Sequence, residues 1–204
     1  TGVEIGMVQI GNEITNGMLG ITTNRDAGES YKGIWANESK SKQVNKYLSA
    51  GSKAVKEVSD ALVVLQLETP NVKKFKEIMD TWERDDVYYD VLGSSYYPYW
   101  STDKKANTPE TLTKVQKLAA DYGKLFVVLE TSWLTTVKDA DGTPNAVGEW
   151  ENTSAYPLTA QGQANMLKDL YDTLGNQDNG LGAFYWEPAW IPVKAGWNNW
   201  EYNK

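Results

Sequence analysis

Asn12-Glu13 and Glu130 are the residues with the most chemistry to offer, because each Glu directly follows a short apolar run. A charge in that position is costly unless something neutralises or uses it. The chain has no histidine and no cysteine among its 204 residues. That excludes Ser-His-Asp and Cys-His nucleophiles, histidine or thiolate zinc sites, and disulfides. Proton transfer therefore falls to carboxylates, lysine or tyrosine. One Glu at a strand end is commonly a solvated or helix-capping group. Two that converge are the minimum machinery for glycoside hydrolysis, since proximity drives their pKa values apart and leaves one as acid and one ionised.

Convergence depends on the elements that carry them. Five apolar runs stand out, at Met7–Ile10, Ala61–Leu67, Val91–Tyr97, Leu125–Leu129 and Leu181–Trp186. Continuous runs of this length predict strands buried on both faces of a parallel sheet. Helix-period stripes lie between them: Val44, Leu48 and Val55; Phe75, Ile78 and Trp82; Leu112, Val115 and Ala119; and Met166, Leu170 and Leu174. Thr108 as N-cap, Pro109 behind it and Gly123 beyond the end bracket the third helix. The resulting β-α-β-α-β-α-β-α-β order predicts an α/β fold with right-handed crossovers. Two longer connections, Thr15–Ser41 and Thr135–Leu158, leave the C-terminal ends of strands, the side on which such folds bind ligands.

A doubly wound sheet and a (β/α)8 TIM barrel both fit this alternation. No strand is followed by a GxGxxG or Walker-type loop, whereas several end in carboxylates and aromatics, as a barrel active site requires. In a closed barrel the first and fourth visible strands face each other across the mouth, so Glu13 and Glu130 meet. A full barrel takes about 250 residues. The reading is therefore one domain, residues 1–204, forming the C-terminal part of a barrel with its first three strands missing. The opening TGVEIGMVQIGNE enters a buried strand almost at once, without initiator Met or leader features, as a piece of a longer protein would.

With 20 Lys+Arg against 27 Asp+Glu the net charge is −7, which argues against nucleic acid or an anionic membrane surface as partner. No apolar run is long enough to span a membrane. Nine Trp and 12 Tyr against 3 Phe suit a carbohydrate-handling surface and an aromatic core equally well.

VQIGNEITNGML, YDVLGSSYYPYW, VVLETSW and GLGAFYWEPAW, in this order, closely resemble family 53 of the glycoside hydrolases, the arabinogalactan endo-β-1,4-galactanases. The NE and ET motifs are shared by a larger clan of (β/α)8 hydrolases, while SYYPYW and YWEPAW are more specific. The resemblance implies a secreted, bacterial-type enzyme that cuts β-1,4-galactan of plant pectin with retention, with no organic cofactor. It makes Glu13 the acid/base on the barrel's fourth strand and Glu130 the nucleophile on the seventh. Asn12 would hydrogen-bond the sugar 2-OH. Tyr96, Trp133 and Trp186 would stack on galactose rings, though core packing explains each as well. Glu187 would accept from sugar hydroxyls or pair with a cation. The missing strands would come from the same polypeptide or a companion chain.

The chain also departs from its relatives. Gly20 begins a divergent loop, and Gln66 and Glu68 stand where relatives tend to carry a His and an Asn or Asp. In the run from Asp139 to Asn145, oxygen-bearing side chains recur at every second position, as in a turn or a calcium loop. Bacterial relatives hold calcium there, which implies Asp139, Asp141, Thr143 and Asn145 as ligands, with Thr143 replacing a His. Two other readings remain: a different hydrolase of the clan, such as a xylanase or cellulase, and a non-catalytic carbohydrate-binding remnant.

Overall fold

A computed structural model describes residues 2–100, 106–136, 138 and 156–186. In chain order the elements are β1 (Met7–Gln9), β2 (Gly17–Met18), β3 (Ile21–Thr22), α1 (Lys32–Trp35), α2 (Glu38–Val58), β4 (Leu62–Leu67), α3 (Val72–Arg84), β5 (Val91–Ser95), α4 (Pro109–Asp121), β6 (Leu125–Thr131), α5 (Ala160–Gly175) and β7 (Gly180–Tyr185). The five expected strands are all present, and they form one parallel sheet in the order β1-β4-β5-β6-β7. Each strand pairs with the next strand of the sheet in sequence. A doubly wound sheet reverses its order at a switch point, so the sequential order defines part of a TIM barrel.

Side-chain alternation along the strands separates two apolar layers. Val63, Leu65, Leu92, Phe126 and Val128 pack with Val44, Leu48, Phe75, Ile78, Leu112, Val115, Met166 and Leu170 of the helices. The opposite face carries a smaller cluster made by strands alone, with Val64, Val91 and Val127 buried and Met7, Leu62, Leu125 and Leu129 around them. That second layer is the barrel interior. Helices α2 to α5 are each stopped at the N-terminus by a side chain accepting from a backbone N–H: Asn37, Asn71, Thr108 and Thr159. Each such cap is worth about 1 kcal/mol.

One connection gains structure and one expectation is corrected. The long connection Thr15–Ser41 contains the β2–β3 hairpin, α1 and the start of α2. The hairpin turns at Leu19 and Gly20, both with positive φ, and Asn37 starts α2 earlier than its apolar stripe does. Burial on both faces holds for β4 and β5 but not for β1, which is half-buried, or β7, where Leu181 and Phe184 are exposed. These two are the edges of the described sheet, so each lacks a neighbour on one side. No helix among the described residues is long and apolar enough to cross a membrane.

Candidate active site

Because all five strands are parallel, their C-terminal ends lie on one rim, and the polar residues of that rim meet. Gln9 on β1, Gln66 on β4 and Ser95 on β5 each follow the parity of the interior layer, two residues beyond Met7, Val64 and Gly93. Glu130 does not. The interior layer of β6 is Leu125, Val127 and Leu129, so strict alternation sends residue 130 toward the helices. A register shift intervenes: Ser94 pairs with Val128, but Ser95 pairs with Glu130. The extra residue on β6 is a β-bulge, which re-aims the side chain after it. Glu130 thereby turns into the barrel mouth.

Glu13 arrives by another device. It follows β1 in a left-handed backbone conformation, φ 45° and ψ 52°, which costs a non-glycine residue on the order of 1–3 kcal/mol. Gly11, also at positive φ, prepares the turn. In this conformation the Glu13 N–H donates to Gln66 Oε1 at 3.0 Å.

The two carboxylates belong to one buried network. Ser95 Oγ donates to Glu13 Oε1 at 2.6 Å. Gln66 Nε2 donates to Ser95 Oγ and to Glu130 Oε1, both at 3.0 Å. Tyr97 donates its hydroxyl to Glu130 Oε2 at 3.0 Å. A cavity of about 230 Å³ opens onto this network, lined by Glu13, Arg25, Glu68, Ser95, Tyr97 and Trp100 among others.

Burial raises the pKa of Glu13 above the usual carboxylate range, and repulsion from Glu130 and Glu68 adds to it; the Ser95 hydrogen bond and Arg25 work against the rise. Burial also raises Tyr97, helped by the Glu130 charge, so this phenol remains a donor. Arg25 pairs with Glu68 at 3.1 Å. Half-buried Lys74, which donates to the Glu68 carbonyl at 2.7 Å, has its pKa pushed down to about 8 by burial. A carboxyl group whose pKa is raised, beside a second carboxyl group held by two donors, is chemically suited to giving a proton while its neighbour attacks.

The other expected residues divide. Asn12 is exposed at the rim, its Oδ1 accepting from Gln9 Nε2 at 3.1 Å. Trp186 is 50% exposed at the end of β7. Tyr96 and Trp133 are core residues, each 2% exposed. Trp133 packs edge-on to Tyr156 and donates its indole N–H to the Pro157 carbonyl, so neither it nor Tyr96 offers a free ring face. Glu187 and the expected calcium ligands Asp139, Asp141, Thr143 and Asn145 lie outside the described residues.

The sequence reading missed Ser95, Tyr97 and Trp100 and treated Gln66 only as a departure. Parity was the available signal. Ser95 continues the alternation of Val91 and Gly93 onto Glu13, and two residues on, the Tyr97 hydroxyl reaches Glu130, although the Tyr97 ring packs in the same core cluster as Tyr96. Trp100, 47% exposed, lines the cavity beside Tyr97.

A parallel barrel sheet with two carboxylates converging at its C-terminal rim is the class that fold and site define. The family model described as glycosyl hydrolase family 53 matches residues 1–204, and the chain belongs to that family. It is 39% identical over 196 residues to the endo-β-1,4-galactanase of Bacillus subtilis, covering 94% of this chain and 41% of that protein. The Ignisphaera aggregans GH53 catalytic domain matches with a TM-score of 0.76 at 33% identity, over 94% of this chain and 50% of that one. A structure of fungal β-1,4-galactanases matches with a TM-score of 0.71 at 22% identity, over 93% of this chain and 53% of that one, a likeness of fold. The chain spans about half the length of the curated relatives it matches.

Proposed function

We propose that this chain carries the catalytic pair of an endo-acting glycoside hydrolase that cleaves β-1,4-galactosidic linkages in galactan with retention. The observation that supports this most is the joining of Glu13 and Glu130 through Ser95 and Gln66, with Glu13 held toward its protonated form. Glu13 donates its proton to the leaving glycosidic oxygen while Glu130 attacks the anomeric carbon; Glu13 then takes a proton from the water that releases the sugar. On this reading Asn12, exposed at the rim, hydrogen-bonds the 2-OH, and the exposed rings of Trp100 and Trp186 stack on sugars. Galactan as substrate draws on the name of the Bacillus subtilis relative.

The remaining barrel strands belong, on this reading, to the same longer polypeptide or to a companion chain. The unpaired edges of β1 and β7 among the described residues and the half-length match to relatives support it. We also propose secretion, and a structural calcium held by Asp139, Asp141 and Asn145 with Thr143, on the chemistry of that oxygen-rich donor set.

The test is reducing-sugar release from galactan, xylan and cellulose by the full-length protein, with the anomer of the product followed by NMR. Galactan should be preferred and the β anomer formed first. Glu130→Gln should abolish turnover of every substrate. Glu13→Gln should abolish turnover of galactan yet keep much of the first step on an aryl galactoside, whose leaving group needs little protonation. Preference for xylan or cellulose would favour another hydrolase of the clan. Binding without turnover would favour a carbohydrate-binding remnant.

A further inference from the structure

The hydrogen bonds around Gln66 run in one direction, and a backbone amide fixes it. The Glu13 N–H can only donate, so the Gln66 atom 3.0 Å away is the amide oxygen. That oxygen also accepts from Gln9 Nε2 at 2.5 Å. The NH2 group therefore faces the other way, and its two hydrogens go to Ser95 Oγ and Glu130 Oε1. Gln66 is fully buried, and all four of its hydrogen-bonding sites are used. A flipped amide would set NH2 against N–H and oxygen against carboxylate, which the buried site could not satisfy. Ser95, already accepting from Gln66, has one hydrogen to give, and gives it to Glu13 Oε1 at 2.6 Å.

We propose that Gln66 and Ser95 are positioning residues that hold Glu13 Oε1 as an acceptor, so that the transferable proton sits on Oε2, while the same amide holds Glu130 Oε1. The proposal rests on the reading of Glu13 as acid/base and Glu130 as nucleophile. The hydroxyl oxygen of a carboxylic acid is a poorer acceptor than its carbonyl oxygen, so an Oε1 that must accept from Ser95 is the carbonyl of the acid form. Among the described residues no group bonds Oε2, which leaves it to the substrate. In the first step the Oε2–H bond breaks and the proton goes to the glycosidic oxygen as the anomeric C–O bond cleaves. A Glu130 oxygen forms the new bond to carbon. In the second step water supplies the incoming oxygen to that carbon, its proton returns to Oε2, and the ester electrons return to Glu130. The orienting donors are neutral, so the proton's place does not depend on a further titration.

The charged and titratable groups that act on Glu13 are Glu130 on β6, Glu68 after β4, Arg25 after β3, Tyr97 after β5 and Lys74 on α3. Among the described residues Ser95 is the one direct side-chain donor to Glu13, and its bond favours the ionised form. Removing it must therefore let Glu13 keep its proton to higher pH.

The experiment is a pH profile of kcat/KM on galactan with the full-length protein. Ser95→Ala should move the alkaline limb up by about one pH unit, the effect of one hydrogen bond to a charged group. Gln66→Glu keeps the size and the acceptor side but has no N–H for Ser95 or Glu130. It should lower kcat roughly 10- to 100-fold with little change in KM, with the circular dichroism of the parent. If that variant does not fold, Ser95→Ala decides alone. An alkaline limb that stays in place or moves down in Ser95→Ala overturns the proposal. If Glu13→Gln or Glu130→Gln still turns over galactan, the underlying catalytic reading falls instead.

Discussion

Gly93 sits in β5 between Gln66 and Val127 across the sheet, and its missing side chain makes room for the side chain of Leu129, the residue before Glu130. A Cβ added at Gly93 would lie 2.5 Å from Leu129 Cδ1 and 3.2 Å from Val64 Cγ1. The first distance is well inside van der Waals contact, so Leu129, the residue immediately before Glu130, must rotate or shift. Overpacking of this kind costs about 1–3 kcal/mol. In a chain of this size that corresponds to a Tm fall on the order of 2–10 °C, less in a longer protein. Gly93→Ala should therefore be destabilised and, because Leu129 adjoins Glu130, should also lose kcat on galactan. The assay is a double-mutant cycle with Leu129→Ala, read by thermal and urea unfolding. Truncating Leu129 removes the clashing methyl group, so the double variant should be more stable than the sum of the singles by about 1 kcal/mol or more. Additive effects, or a Gly93→Ala protein as stable as the parent, would refute the reasoning that the interior face at Gly93 is filled by Leu129.

Two further predictions concern groups around the site. Lys74 has a folded pKa of about 8 against an ordinary value of 10.5. The unfolded chain thus binds more protons than the folded one between those values, and stability rises with pH across that window. Lys74→Met should flatten this rise, seen as a smaller difference between unfolding free energies at pH 7.5 and pH 9.5. An unchanged difference would show that Lys74 is not the group responsible. For the proposed calcium site, excess chelator should lower the Tm of the full-length protein, calcium should restore it, and Asp141→Ala should abolish the response. A Tm indifferent to chelator, with no calcium in elemental analysis, would dismiss the site.

The local signals in this sequence were strong because they depend on short-range physics. Alternation of apolar runs with helix-period stripes placed all five strands of the parallel sheet, and Thr108, Pro109 and Gly123 bracketed α4 as capping geometry requires. The lack of His and Cys pointed to carboxylates before any geometry was known. The presence of Glu13 and Glu130 at the ends of apolar runs was enough to name them, since a charge there calls for a reason.

Tertiary structure decided which side chains face one another. The barrel was already read from the strand-end carboxylates and aromatics, but the sequential order of strand pairing was visible only in the fold, because pairing between distant segments leaves no mark in either segment alone. The bulge between Val128 and Glu130 exists only relative to β5, so no reading of β6 alone turns Glu130 inward. Tyr96 and Tyr97 are chemically equivalent neighbours in SYYPYW and both pack in the main core, yet it is the Tyr97 hydroxyl that the fold brings to Glu130. Gln66 looked like a departure from a pattern until three strands surrounded it. Its role follows from donors and acceptors that lie far apart in sequence, 53 residues away at Glu13 and 64 at Glu130. Sequence thus supplied the chemical groups, while packing across strands set their orientation and the direction of their hydrogen bonds.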